Sequence, residues 1–222
     1  MSGSEREEAR RAGGPGGARD VIAIDGGAGT GKTTSAARTA ERLGFTYIDS
    51  GAVYRAIAVA LRAEGILDPD DARVEGAVRS LPIELRPEPG RFRVFLGARE
   101  LTGELRTPEI SRLSSQLAVR PEVRVRVRAL LREAAVRGSL VVEGRDIGTV
   151  VFPDAVLKVH LHAALPVRAE RRQADLRRQG IDMPAGEVSR DLEERDRRDS
   201  TRADSPLRQA EGALVLDTSR CS

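Results

Sequence analysis

The chain has 222 residues with 40% apolar and 32% charged content, enough for one α/β domain with an inserted subdomain and too few for a motor or transporter apparatus. Its net charge is only +3, and lysine occurs only at Lys32 and Lys158, so the cationic chemistry is almost all arginine, suited to bidentate phosphate binding. Aromatics are 3% with no tryptophan, which argues against a binder of single-stranded nucleic acid that needs stacking platforms.

Residues 1–20 carry charge and glycine without an apolar core, so they read as a disordered tail and not a secretory signal. Order is expected from Val21. "VIAID" (21–25) is a short apolar run ending in glycines, the pattern of a buried parallel strand. "KTTSAARTAERL" (32–43) predicts a helix with Ala36, Ala40 and Leu43 near one face, stopped by Gly44. "FTYID" predicts a second strand and 52–65 a second helix, with Asp49 either capping that helix or orienting Ser50. Residues 81–106 change character: short alternating strands, turns at "PEPG" and "GARE", and Phe92, Val94 and Leu96 on one face indicate an antiparallel insert. Pro121 opens a helix whose stripe is Val123, Val127, Leu130, Leu131 and Ala134, with Arg124 and Arg128 as neighbours on its surface. "LVVEG" (140–144) and "VLKVHLHA" (156–163) predict two more strands. A charged helical region follows from Pro166 to about Arg202, and "ALVLDTS" (213–219) is the last strand. Strands alternating with helices predict an α/β fold with a parallel sheet, interrupted by an α+β insert.

No apolar run approaches roughly 18 residues, so no membrane span is expected. The lone cysteine, Cys221, fits a reducing, cytoplasmic compartment. His160 and His162 alternate on one strand face without an evident third ligand and read as a half-buried structural pair. "ERDRRDSTR" (194–202) is either a solvated helix face or a set of arginines and an aspartate aimed at a phosphorylated ligand. Spacing puts Arg195, Asp199 and Arg202 on one helical face and leaves Glu194 and Arg197 off it, with Arg198 open between the two readings.

"GGAGTGKT" (26–33) matches G-x-x-x-x-G-K-[ST] between a predicted strand and a predicted helix. Glycines let backbone N–H groups form an anion nest, the helix N-terminus adds favourable dipole, Lys32 bridges phosphates, and Thr33 can place its hydroxyl on Mg²⁺. A chain without asparagine cannot carry the N-K-x-D element of guanine-specific GTPases, which leaves a small phosphotransferase as the leading class. Glu143 either holds a Mg²⁺-bound water or faces solvent at a strand end.

The blocks "IAIDGGAGTGKTT", "YIDSGAVYRA", "LTGELRTPEIS", "VVEGRDIGTVVFPDA", "ERDRRDSTRADSPL" and "ALVLDTS" resemble, in order, those of the bacterial cytidylate kinases, over most of 21–219. The resemblance implies a P-loop three-layer α/β/α fold with a parallel central sheet. A core (21–65 and 118–222) would carry a small antiparallel CMP-binding insert at about 75–117 and a mobile helical lid at about 166–198. It implies transfer from ATP to CMP, with dCMP accepted and UMP used poorly, by a monomer that needs Mg²⁺ and binds neither nucleic acid nor membrane. Residue by residue, Gly26, Gly27, Ala28, Gly29, Thr30, Gly31, Lys32, Thr33 and Thr34 would form the ATP phosphate loop. Ser50 would sit by the acceptor's sugar or base, followed by Tyr54, and Arg55 would lie near its phosphate. Ser115 would touch cytosine, Arg124 base or phosphate, and Arg145 and Asp146 phosphate and base. Arg195, Asp199 and Arg202 would serve phosphate and ribose. Arg145, Arg171, Arg172 and Arg195 are candidates for spreading charge on the transferred group. Two departures stand out: Gly27 replaces a proline common in relatives, loosening the loop, and the sequence ends at Ser222 where relatives continue into a helix, which predicts a less covered flank of the sheet.

Overall fold

The computed structural model describes residues 19–88, 90–105 and 107–221. Most of the expected tail lies outside the described residues, but Asp20 already belongs to the fold: its carbonyl accepts from Leu140 N–H at 2.9 Å and its N–H donates to Ser139 Oγ at 3.2 Å. Five strands form a parallel sheet: β1 (Val21–Gly26), β2 (Thr46–Asp49), β6 (Leu140–Gly144), β7 (Leu157–His162) and β8 (Leu214–Asp217), ordered β2-β6-β1-β7-β8. Central β1 and β6 are buried along their whole length, which is why they read as unbroken apolar runs without alternation.

Helix α1 (Lys32–Leu43) follows β1 directly. Ala36 and Ala40 are fully buried, and their small side chains bring the helix close to the sheet. Leu43 was expected on that face but is 41% exposed, because the helix ends there and Gly44, at φ 68°, turns the chain away. Helix α2 (Ser50–Ala63) begins two residues earlier than expected. Asp49 stands at its N-cap position without a side-chain capping bond and pairs instead with Arg55, at 2.6 Å.

The short helix α3 (Val74–Ser80) leads into an antiparallel sheet of β3 (Ile83–Glu88), β4 (Arg91–Leu96) and β5 (Arg99–Glu100). Phe92 and Val94 face inward with Leu96 partly buried beside them, as the alternation predicts. Helices α4 (Pro108–Leu117) and α5 (Pro121–Ala135) return the chain to β6. One continuous apolar core joins Ile83, Leu85 and Val94 to α2, α5 and the sheet residues Ala23 and Val142.

The charged region is two helices, α6 (Leu165–Arg178) and α7 (Ala185–Thr201), separated by a bend at Gly180, φ 76°. They pack on one another through Ala169, Leu176, Val188 and Leu192, a small cluster that also holds Ala28. Strand β8 is an edge strand, and Leu214, Val215 and Leu216 are all exposed. No helix among the described residues is long and apolar enough to cross a membrane.

Candidate active site

A cavity of about 530 Å³ opens at the carboxyl ends of the parallel strands, where open α/β sheets bind their ligands. Ala28, Gly29, Lys32, Thr33 and Thr34 line one end, with Asp49, Ser50, Tyr54, Arg55, Ser115, Glu143, Arg145, Asp146, Arg172, Arg195, Asp199 and Arg202 around the rest. Residues dispersed from position 28 to 202 thus share one space.

The loop between β1 and α1 has the geometry that its glycines require. Gly29 and Gly31 sit at φ 76° and 83°, in the left-handed region that side chains resist. Gly26 is fixed by contact: a Cβ there would lie 2.1 Å from the Leu161 carbonyl oxygen. Helical bonding starts with Ser35 N–H on the Gly31 carbonyl, so the amides of Lys32, Thr33 and Thr34 precede the first intrahelical bond, the normal condition of an anion-binding helix start. Lys32 is buried, and its ammonium donates to the Gly27 carbonyl at 2.5 Å and reaches Thr30 Oγ1 at 3.5 Å. Burial and the nearby Arg145 pull its pKa from 10.5 down to about 7.

Glu143 does not face solvent. It is buried at the end of β6, opposite Asp49 of β2, and accepts a short hydrogen bond from Tyr47 OH. Burial and Asp49 raise its carboxyl, while burial and Glu143 hold the Tyr47 phenol firmly protonated.

The far end of the cavity holds a largely buried ion-pair network. Arg124, expected on the surface of α5, is only 1% exposed: Nη2 meets Asp146 at 2.5 Å, Nη1 donates to the Ala118 carbonyl at 3.1 Å, and Nε lies 3.4 Å from Asp204. Arg128 remains nearer the surface, 3.5 Å from Asp204. Arg202 lies beyond the end of α7, at extended backbone angles, so the helical spacing that grouped it with Arg195 and Asp199 does not apply. It reaches the cavity because Nε is held by the Ser205 carbonyl at 2.6 Å, and Ser205 adopts φ 53°, a strained angle for a residue with a side chain. Its other nitrogens lie 3.6 Å from Asp146 and 3.8 Å from Asp199. Asp199 accepts from Arg145 Nε at 2.8 Å, and Arg145, Arg195 and Arg202 together outweigh burial to keep its carboxyl below the usual range. Tyr54 is partly buried here with its phenol pushed up to about 12, desolvation being the main cause.

Arg195 lines the cavity with a buried Nε that has no hydrogen-bond partner, and burial with the like charge of Arg145 lowers its pKa to about 10. The other arginines of the charged helices separate. Glu194 and Arg197 pair with each other in solvent, at 2.9 Å. Arg198 donates to Ser115 Oγ at 2.7 Å, which joins α7 to α4. Arg172 lines the cavity. Arg171 points elsewhere and holds the chain after β8 through the Thr218 and Cys221 carbonyls, at 2.7 and 2.6 Å.

A family model for cytidylate kinase matches residues 22–222. Cytidylate kinases from Solibacter usitatus and Desulfitobacterium hafniense are 44% and 45% identical to this chain, over 92% and 89% of it and 87% and 84% of their own lengths. A Thermotoga neapolitana cytidylate kinase is 42% identical over 90% of both chains. The chain belongs to the cytidylate kinase family. It is therefore a nucleoside-monophosphate kinase, a phosphotransferase that phosphorylates CMP.

For a cytidylate kinase, the cavity contains more fixed structure than its sequence blocks suggest. Asp25, read only as a strand end, is buried and accepts from the N–H groups of Ile147 and Gly148 at 2.8 and 2.7 Å. It thereby ties β1 to the turn that carries Arg145 and Asp146, and burial lifts its pKa to about 6. The sequence signal was an acidic residue closing an otherwise apolar strand. Among the described residues no cluster of three or more metal-ligating side chains occurs, and His160 and His162 make none: His160 is partly buried, whereas His162 is exposed, 3.8 Å from Asp217.

Proposed function

We propose that the kinase transfers the γ-phosphoryl group of ATP to CMP and to dCMP, with Mg²⁺. The observation that supports this most strongly is the continuity of the cavity, from Lys32 and the phosphate loop at one end to Asp146 and Arg202 at the other, with Arg124 buried behind Asp146. The donor triphosphate belongs at the loop and the acceptor's base and sugar at the ion-pair network, with Arg55, Arg145, Arg172 and Arg195 around the phosphates between them.

Phosphoryl transfer asks for positioning and charge stabilisation. Lys32 is held near its transfer position by Gly27, and a phosphate oxygen is the stronger acceptor, so the ammonium changes partner with little movement. An incoming anion also relieves the mutual repulsion of Lys32, Arg145 and Arg195. Asp199 aims the Arg145 guanidinium and keeps lone pairs for a sugar hydroxyl. Asp146 accepts from the N4 amino group of cytosine with the oxygen not taken by Arg124. Oxygen donors at Thr33 and Glu143 suit a hard divalent cation. Bound Mg²⁺ supplies charge neutralisation on the phosphate oxygens.

Coupled ADP release with CMP, dCMP, UMP and AMP tests the reading. CMP and dCMP are expected to outpace UMP, and equal or faster turnover with AMP would sink the acceptor assignment.

A further inference from the structure

The carbonyls of three consecutive loop residues, Ala28, Gly29 and Thr30, are held from outside the loop, and that of Gly27 from within it. Gly27 O accepts from Lys32 Nζ and from Thr30 Oγ1, at 2.5 and 3.0 Å. Ala28 O accepts from Arg168 Nη1 at 3.2 Å, Gly29 O from Arg171 Nη1 at 3.5 Å, and Thr30 O from Thr218 Oγ1 at 3.0 Å. A peptide whose carbonyl is fixed on one side presents its N–H on the other, so these bonds set the direction of the nest.

Arg168 is the most connected of these groups. Its Nε donates to the Ala163 carbonyl just after β7, at 3.0 Å, and its Nη1 meets Asp196 of α7 at 2.6 Å as well as Ala28 O. Its side chain is nearly buried. Asp196 presses its other carboxylate oxygen, buried and without a hydrogen-bond partner, against the loop: a Cβ on Gly27 would meet that oxygen and Arg168 Nη1, both at 3.3 Å. Asp196 adjoins Arg195 and lies one turn before Asp199, the two charged residues that α7 contributes to the cavity.

We infer that Arg168 and Asp196 are positioning residues: their pair clamps α7 to the back of the phosphate loop, setting the distance between the donor nest and the arginines of the acceptor side. The inference rests on the cavity being the phosphoryl-transfer site. The pair has a polarity. Arg168 neutralises a carboxylate lodged behind an anion-binding loop. Without Arg168, that carboxylate repels the triphosphate and the Ala28 carbonyl loses its anchor. Without Asp196, the anchor stays and only the clamp to α7 is lost.

The test is calorimetric binding of ATP to Arg168→Ala, Asp196→Ala and the double variant, with turnover measured alongside. Arg168→Ala is expected to weaken ATP about 30-fold and Asp196→Ala about 5-fold, whereas the double variant binds better than Arg168→Ala alone. Turnover in Asp196→Ala falls about 10-fold or more at saturating substrates, as a misplacement of the reacting groups requires. Arg197→Ala, on the solvent side of α7, matches the wild type. Losses that multiply in the double variant, or ATP affinities within twofold of wild type, overturn the inference. Because ATP binding is read without an acceptor, it is separate from the acceptor assignment, which fails only if the wild type does not phosphorylate CMP.

Discussion

Asp146→Ala probes the ion-pair end of the cavity most directly. The carboxylate lies 2.5 Å from Arg124, which is 1% exposed, and 3.6 Å from Arg202 Nη2, a buried nitrogen with no hydrogen-bond partner. Removing it leaves two guanidinium groups facing each other away from water. Breaking a buried pair from one side costs about 3–5 kcal/mol. Asp204 remains 3.4 Å from Arg124 Nε but is partly solvated, so the lower end applies, about 3 kcal/mol. In a domain of this size that lowers Tm by about 6–12 °C. Replacing both partners together, Arg124→Met with Asp146→Leu, is expected to cost less than Asp146→Ala, because the most buried charge is removed with its partner and Arg202 keeps Asp199, 3.8 Å away. Urea unfolding without nucleotide measures both. Titration with CMP and with ATP adds the functional arm, in which Asp146→Ala weakens CMP far more than ATP. A loss below about 1 kcal/mol would show that water reaches the pair, and an unchanged CMP affinity would refute the base-reading role.

Lys32→Ala is expected to abolish turnover in the ADP-release assay while CMP binding survives, since Lys32 lies at the donor end. Lys32 also sets a proton signature. Its pKa of about 7 in the free protein is depressed by burial and Arg145, and bound phosphates raise it, so at pH 8 ATP binding takes up close to one proton and at pH 6 close to none. Calorimetry in buffers of different ionisation enthalpy reads this, and equal uptake at both pH values contradicts it. Gly26→Ala forces a methyl group against the Leu161 carbonyl and is expected to lower stability by about 3 kcal/mol or more in urea unfolding.

The parts of this protein legible in its sequence are those decided by neighbours in the chain. An apolar run, a glycine loop and an alanine-faced helix locate β1, the nest and α1, because each obeys a local rule of sterics or periodicity. The resemblance named Arg124, but its burial was illegible for the opposite reason. Spacing from Arg128 places it on a helix surface, but its burial depends on Asp146 and Asp204, which only the fold brings near. Asp25 depends on amides more than 120 positions later. Arg168 was hidden among many similar residues of a charged helix, and only the loop carbonyl it meets distinguishes it. The stretch 194–202 divides in the same way: Glu194 and Arg197 follow helical spacing into solvent, whereas Arg202 reaches the cavity from beyond the helix.

Lys32 leaves the protein with an unusual chemical handle. Of its two lysines, only this one lies in the cavity, and burial beside Arg145 pushes its amine toward the neutral, nucleophilic form near neutral pH. A mild acylating reagent small enough to enter should mark that amine, and a bound triphosphate should shield it by covering it and by returning its proton. The rate of labelling at one peptide then becomes a meter of donor-site occupancy that needs neither turnover nor an acceptor.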